Sequence, residues 1–499
     1  MDKVLQCAAF DLGASGGKVI LGAFDGERVS LSEVYRFSNS PILLGDHIYW
    51  DFLRLFEEVK KGLQLVHKLT GGKIASVAID TWGCDYALLD RYDHLIENPY
   101  CYRDSRTHGM MEKAFQRMPR AEIYARTGVQ LMQLNTVFQL LAMAEAYPET
   151  LDRAETFLMI PDLFNYYLTG KKVCEFTNTT TTQVYDPFTD DWNKPILQAM
   201  GIPGSIFPAI VRPGTILGDI SAWLGEELGI RPTPVIAVAS HDTASAVCAI
   251  PTIQKDSAFL SSGTWSLLGH EEGSPVINEY GAKNNFSCYG GVCNSWLIWK
   301  NIQALWLLQE CTRVWAEQGK PYSHEDLILI ASQAKPFGPI LDTDDILFLT
   351  PGDFPMKIAE YCLRTGQPPP ENDGAVVRSI LESLAIKYRH VFDRLQEVTG
   401  KPLNQINVIG GGSRNWLLNQ FTAEAVGLPV KAGPAEATSI GNIMMQLMAL
   451  DELDCLSDAR EVVQVSFETA TFESCKTEAW EDAYGKYLEI STKSKVFNA

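Results

Sequence analysis

Residues 6–37, QCAAFDLGASGGKVILGAFDGERVSLSEVYRF, read as three short apolar runs parted by a Gly/Ser-rich turn and by Asp25-Gly26. Val, Ile, Leu and Phe fill the runs and turn-forming residues separate them, which predicts strand, loop, strand, Asp-Gly hairpin and strand. Residues 51–69, DFLRLFEEVKKGLQLVHKL, then place apolar side chains at helical spacing. Residues 74–83, IASVAIDTWG, form a buried strand that closes on an acidic turn. Helices alternating with strands make the class α/β.

The opening pattern has an echo in the second half of the chain. SAFLSSGTWSLLGHEEG, residues 257–273, again reads as apolar strand, small-residue Gly turn and apolar strand ending in Gly. An internal repeat of this kind suggests two related domains, with the boundary near residues 249–256, hence 1–249 and 250–499. Residues 405–433, QINVIGGGSRNWLLNQFTAEAVGLPVKAG, read as strand, Gly-rich turn, helix and strand, the crossover unit of a parallel sheet. Upstream, Val377, Ile380, Leu384, Tyr388, Val391, Leu395 and Val398 recur every three or four residues and mark the core stripe of a long helix.

Bulk composition narrows the function classes. The 499 residues, 46% hydrophobic and 21% charged, are those of a folded protein of two or more domains. Sixty-one acidic against forty-two basic residues give a net charge of −19, which repels nucleic-acid backbones and anionic membrane surfaces. Eleven scattered cysteines, with no Cys-x-x-Cys pair and no uncharged run long enough to span a bilayer, predict free thiols in a cytoplasmic protein.

Chemistry-bearing motifs sit at the predicted strand ends. Gly13-Ala14-Ser15-Gly16-Gly17 matches G-x-S-x-G, but a nucleophile elbow needs a helix after it, and a strand follows here. A phosphate loop of the G-x-x-x-x-G-K-[ST] type fails at Leu12, at Val19 and for the same missing helix. What remains is a turn whose bare backbone, Ser15 and Lys18 can approach an anion, with Asp11 placed to hold a hydrated Mg²⁺; an ordinary tight turn is the alternative. Gly410 to Gly412 present open backbone at a strand end, suited to a mononucleotide's adenosine; Asn415 stands where a dinucleotide fingerprint needs Gly or Ala. In PVIAVASHDTASAV, residues 234–247, Asp242 reads as a helix N-cap or as a base flanked by His241 and Thr243. DTWGCDYALLD (80–90) and YRDSRT (102–107) add carboxylates, Arg103, Arg106 and Trp82 near strand ends; the alternative is surface turns with ion pairs, with Trp82 in the core.

Taken together, these stretches resemble the FGGY carbohydrate kinases. They are DLGASGGK, DTWGCDYALLD, YRDSRT, LTGKKVCEFTNTTTTQVYD, ASHDTASAV, LSSGTWSLLG, KNIQALWLLQE and GGGSRNWLLNQFTAEAVGLPV, in the right order over most of the chain. The resemblance implies two ribonuclease-H/actin-like domains flanking a catalytic cleft, and ATP-dependent phosphorylation of a small-molecule ketose at its C1 hydroxyl. L-rhamnulose is the favoured ketose, with L-fuculose or xylulose as alternatives. A non-catalytic actin-like nucleotide-binding protein is the alternative of another class. By the same resemblance Asp242 is the general base and Asp11 helps hold Mg²⁺. Ala14, Ser15, Gly16, Gly17, Lys18, Thr264, Gln309 and Gly411 bind ATP, and Gly83, His241, Thr243 and Asn301 line the sugar site. The loop departs from the Gly-Ala-Ser-Ser-Gly-Arg that such kinases carry: Gly16 removes a hydroxyl and Lys18 replaces a planar fork by a point charge. A monomer or small homo-oligomer is expected.

Overall fold

The computed structural model describes residues 4–251, 254–475 and 477–497. The chain divides into two compact units. One comprises Met1–Ile253, Glu271–Ile298 and Ala437–Phe467; the other comprises Gln254–His270, Trp299–Glu436 and Glu468–Ala499. The units are discontinuous in sequence, whereas the repeat suggests the contiguous halves 1–249 and 250–499. Two later segments return to the first unit.

In the first unit, β1 (Leu5–Gly13), β2 (Gly16–Phe24), β3 (Val29–Ser38), β4 (Ser76–Thr81), β5 (Thr215–Asp219) and β6 (Pro234–Ala237) form one sheet in the order β5-β6-β4-β1-β2-β3. Strands β1 and β2 pair antiparallel up to Gly13 opposite Gly16, so Ala14 and Ser15 alone make the turn. The Asp-Gly hairpin forms as the sequence predicts. Asp25 Oδ1 accepts the N–H groups of Glu27 and Arg28, and Gly26 takes a φ of 103° that a side chain would strain. Strands β1 and β4 run parallel with Asp11 opposite Asp80.

The helix Phe52–Thr70 makes the crossover between β3 and β4. Asp51 caps it by accepting the Arg54 N–H at 3.2 Å, and Leu55, Val59, Leu63 and Val66 are buried. Each such side chain contributes about 1.5–3 kcal/mol on leaving water. A Cβ at Gly62 would meet the Phe10 ring and the Val19 side chain at 2.8 Å, so the glycine lets this helix lie close to the sheet. Side chains alternate across a strand, so Asp11 faces away from Phe10. On Asp11's side lies the helix Ala437–Ala449, whose Ser439, Asn442 and Gln446 all hydrogen bond into β1 and β4. These bonds are the physical reason that this late segment belongs to the first unit.

In the second unit, β7 (Ser257–Ser262), β8 (Trp265–Glu272), β9 (Gln405–Ile409), β10 (Val430–Ala432) and β11 (Ala470–Phe472) pair in the order β8-β7-β9-β10-β11. The two halves of the sequence echo share a topology: β7 pairs antiparallel with β8 and parallel with β9, as β1 does with β2 and β4. The long helix is Asp373–Thr399, opened by Asn372 accepting the Ala375 N–H, and all seven residues of the predicted stripe are buried. Tyr388 is tied to Ser266 by a 2.7 Å hydrogen bond between hydroxyls. All eleven cysteines are free thiols. Among the described residues no helix is long and apolar enough to cross a membrane.

Candidate active site

Register alone sets Asp11 and Asp80 side by side near the C-terminal ends of β1 and β4, and the hairpin puts Lys18 across from Asp11. Lys18 Nζ lies 3.1 Å from Asp11 Oδ2, and Ser439 Oγ donates to the same oxygen at 3.1 Å. Asp80 is completely buried, and Asn442 Nδ2 donates to its Oδ2 at 2.6 Å. Burial first, then the charge of Asp11, holds the Asp80 carboxyl well above the usual carboxylate range, against the pull of the Asn442 bond.

The residues from Ala14 to Lys18 form one turn on this hairpin. Asn39 pins it from outside, donating its N–H to Ser15 O at 3.2 Å and its Nδ2 to Gly13 O at 2.9 Å. A Cβ at Gly17 would fall 2.2 Å from the Phe37 ring, so a side chain there would have to displace that ring. Asp11, Ser15, Gly16, Lys18 and Arg36 line an open groove over the turn. Two cations beside bare backbone N–H groups suit an anionic group.

Past β6, the chain enters the helix Asp242–Cys248. His241 occupies the N-cap position and Asp242 is the first helical residue, so the N-cap expected at Asp242 does not form. Long-range bonds explain the shift. Thr81 N–H donates to Ser240 O at 2.8 Å and Thr81 pairs with His241 as a parallel bridge, which keeps residues 240 and 241 extended. Asp242 is left with its carboxylate partly in solvent, 33% exposed, accepting from Thr243 Oγ1 at 3.1 Å and 3.5 Å from His241 Nε2. Partial burial, reinforced by the negative charge of Asp11, raises Asp242 to about 7 against the lowering effect of the Thr243 bonds. Burial lowers His241 to about 4, so its ring is neutral beside Asp242. A carboxylate poised near neutrality with a path to solvent is suited to accept a proton.

Gly83 lies in the turn that follows β4. Cys84 takes a φ of 73° there and donates its N–H to Thr181 Oγ1 at 3.1 Å, while a Cβ on Gly83 would crowd Thr181 at 3.1 Å. Asp85, also completely buried, gathers Trp50 Nε1 at 2.6 Å, Trp82 Nε1 at 2.9 Å and Gln139 Nε2 at 2.9 Å. Burial pushes it up to about 6 despite these donors. The surface-turn reading of DTWGCDYALLD is therefore corrected: Asp80 and Asp85 are interior groups with distant partners, while Trp82 is buried as expected. YRDSRT is corrected likewise. Asp104 is buried and accepts the Ile48 N–H at 2.6 Å, and Arg106 stacks 3.8 Å over the Tyr100 ring and donates to Gln139 Oε1.

The second unit holds the remaining candidates. Thr264 Oγ1 donates to Gln309 Oε1 at 3.1 Å, and the Thr264 carbonyl accepts the N–H of Trp306 at 3.2 Å. Gly411 follows β9 at the start of a short 3₁₀ turn, and a Cβ on Gly412 would lie 2.1 Å from Ser262 Oγ. The triple glycine therefore packs against the end of β7, beside the turn that carries Thr264. Asn301 is in the strand Trp296–Gln303, whose end is fixed by Gln303 N–H donating to Asp344 Oδ1 at 3.0 Å. Thus Asp11, Ala14 to Lys18, Gly83 and His241 to Thr243 belong to the first unit. Thr264, Gln309, Gly411 and Asn301 belong to the second.

Three residues around the carboxylates escape the sequence reading: Ser439, Asn442 and Gln446. Their signal is spacing, because polar side chains at i, i+3 and i+7 of a largely apolar helix share one face. A Cβ at the intervening Gly441 would lie 1.7 Å from Ser245 O, so this glycine lets the helix press against the one that begins at Asp242.

Two family models match the chain: the N-terminal domain of the FGGY family of carbohydrate kinases over residues 7–248, and its C-terminal domain over residues 258–450. The chain belongs to the FGGY family and is a carbohydrate kinase. Over 477 residues it is 42% identical to a rhamnulokinase of Bacteroides thetaiotaomicron, covering 95% of this chain and 97% of that one. A rhamnulokinase of Oceanobacillus iheyensis is 38% identical over 468 residues, covering 94% and 98%. The fold matches the crystal structure of a ligand-bound xylulose kinase from Lactobacillus acidophilus with a TM-score of 0.81, at 18% identity over 98% of each chain.

Proposed function

We propose that this kinase transfers the γ-phosphoryl group of ATP to the C1 hydroxyl of L-rhamnulose, giving L-rhamnulose 1-phosphate in the cytoplasm. The observation that carries the choice of sugar is the 42% identity to a rhamnulokinase across nearly the whole chain. Asp242 takes the hydroxyl proton as the oxygen attacks phosphorus. Its neighbours support that role: Thr243 steadies the carboxylate, and a neutral His241 leaves its negative charge unopposed. Such a reaction asks the protein mainly to align reactants and balance charge.

In this reading the turn from Ala14 to Lys18 faces the ATP phosphates. Thr264 faces them too, Gln309 and Gly411 run along the nucleotide, and Gly83, His241, Thr243 and Asn301 contact the sugar. Lys18 meets its anion as a point charge, already balanced by Asp11. Among the described residues no three His, Cys, Asp or Glu side chains converge into a metal cage. The carboxylate oxygens of Asp11 fit Mg²⁺, a hard cation that keeps most of its waters and leans on substrate phosphates. When bound, Mg²⁺ supplies charge neutralisation for the transferring phosphates. The product tests the reading: ³¹P and ¹³C NMR of the reaction with L-rhamnulose is expected to show phosphate on C1. Phosphate on another carbon, or ADP formed without a sugar phosphate, contradicts it.

A further inference from the structure

Of the segment LTGKKVCEFTNTTTTQVYD only Thr181 has entered the site so far, yet the segment's Glu175 is completely buried and is the acceptor for five donors. Glu175 Oε2 accepts from Ser240 Oγ at 2.6 Å, Ser240 N–H at 3.0 Å, Thr177 Oγ1 at 2.6 Å and Asn178 N–H at 3.3 Å. Its Oε1 accepts the Thr177 N–H at 2.9 Å. We propose that Glu175 is a positioning residue for Asp242: it fixes the two backbone steps that precede the base and, through the same short helix, the turn that carries Gly83. This rests on the reading of Asp242 as the base.

The bonds run from Glu175 to both places. Besides the two donors of Ser240, Thr177 Oγ1 accepts the His241 N–H at 3.2 Å, so the amides of residues 240 and 241 both end on the Glu175–Thr177 pair. From the other side, Asn178 Nδ2 donates to Ser240 O at 3.3 Å and to Trp82 O at 3.4 Å. Thr181 Oγ1 donates to Asn178 O at 2.8 Å and accepts from Cys84 N–H. Residues 175–182 therefore form one hydrogen-bonded brace between the Gly83 turn and the Asp242 approach. A carboxylate suits its centre because one oxygen can accept several donors at once, whereas an amide presents its own N–H groups to at least one of them. The arrangement is also costly to disturb, since buried donors left without an acceptor are expensive. Misplacing a reacting group by about 1 Å costs on the order of 100-fold in rate.

The test compares wild type with Glu175→Gln, Ser240→Ala and the double variant in the full chain. It reads ketose and ATP kinetics together with amide hydrogen exchange of residues 239–243. Glu175→Gln is expected to lose about 10–100-fold in kcat/KM for the ketose with KM for ATP unchanged, and its Ser240 and His241 amides to exchange faster. Ser240→Ala should move both readouts the same way by less, and the double variant should be no worse than Glu175→Gln. Should Glu175→Gln fail to fold, Ser240→Ala alone decides. Wild-type exchange at residues 240 and 241, or kinetic losses that simply add in the double variant, overturn the proposal. If wild type phosphorylates no ketose, the functional reading fails, and the exchange rates still decide whether Glu175 holds this segment.

Discussion

Replacing Asp242 by asparagine separates catalysis from folding, because the structure assigns the two effects opposite signs. The amide introduced by Asp242→Asn would keep an oxygen for the Thr243 hydroxyl, and the helix loses no cap, since His241 holds that position. Without a group to receive the proton, turnover is expected to fall about 10²–10⁴-fold, or about 2.7–5.4 kcal/mol in the barrier. Stability moves the other way. The folded carboxyl titrates at about 7 instead of its ordinary 3.8, so between those values the unfolded chain has released a proton that the folded one retains. Wild-type stability therefore drops as pH rises through this window and levels off above about 7. The amide does not titrate, so the melting temperature of the Asp242→Asn variant should match wild type near pH 4 and exceed it at pH 8. The same group predicts that wild-type kcat/KM declines as pH falls below about 7. Steady-state kinetics and thermal melts across pH 4–9 measure all three quantities. Near-normal kcat in the variant, or a lower melting temperature at pH 8, refutes the reasoning.

Two further substitutions probe the packing beneath the site. Asn442→Leu takes the donor from Asp80 Oδ2 and the acceptor from Gln446 Nε2, and should destabilise the first unit by about 1–3 kcal/mol in denaturant titrations. An unchanged midpoint would show that Asp80 needs no partner. Gly441→Ala drives a methyl into the Ser245 carbonyl, a backbone group that cannot swing away. It should cost about 1–3 kcal/mol and raise KM for the ketose by shifting the helix that starts at Asp242; normal stability with normal kinetics would contradict the close approach.

Local signals made much of this molecule legible. Alternating apolar runs with Gly turns specify both hairpins, and the stripe from Val377 to Val398 specifies the long helix, because each depends on neighbours within a few residues. Asp242 shows where such reasoning stops. Its cap propensity is real, but bonds to Glu175, Thr177 and Thr81, all far away in sequence, keep the chain extended through His241 and start the helix one residue early, so that Asp242 falls inside it. Asp80 and Asp85 look like surface carboxylates because most are. Their burial is set by Asn442 in one case and by Trp50 and Gln139 in the other, partners that no local window contains. The discontinuity of the first unit is likewise not a local property. Residues 437–449 follow the second unit's strands in chain order, and the hydrogen bonds of Ser439, Asn442 and Gln446, with the close packing at Gly441, return them to the first.

The proposed reaction is phosphorylation of a particular ketose at the expense of ATP. The most direct measurement is coupled ADP release by the purified protein with Mg²⁺-ATP across L-rhamnulose, L-fuculose, L-xylulose, D-xylulose, L-ribulose and glycerol. Sugar-dependent ADP formation is expected, with the highest kcat/KM for L-rhamnulose. A higher value for any other acceptor contradicts the choice of sugar, and no sugar-dependent ADP with any of them contradicts the kinase reading itself.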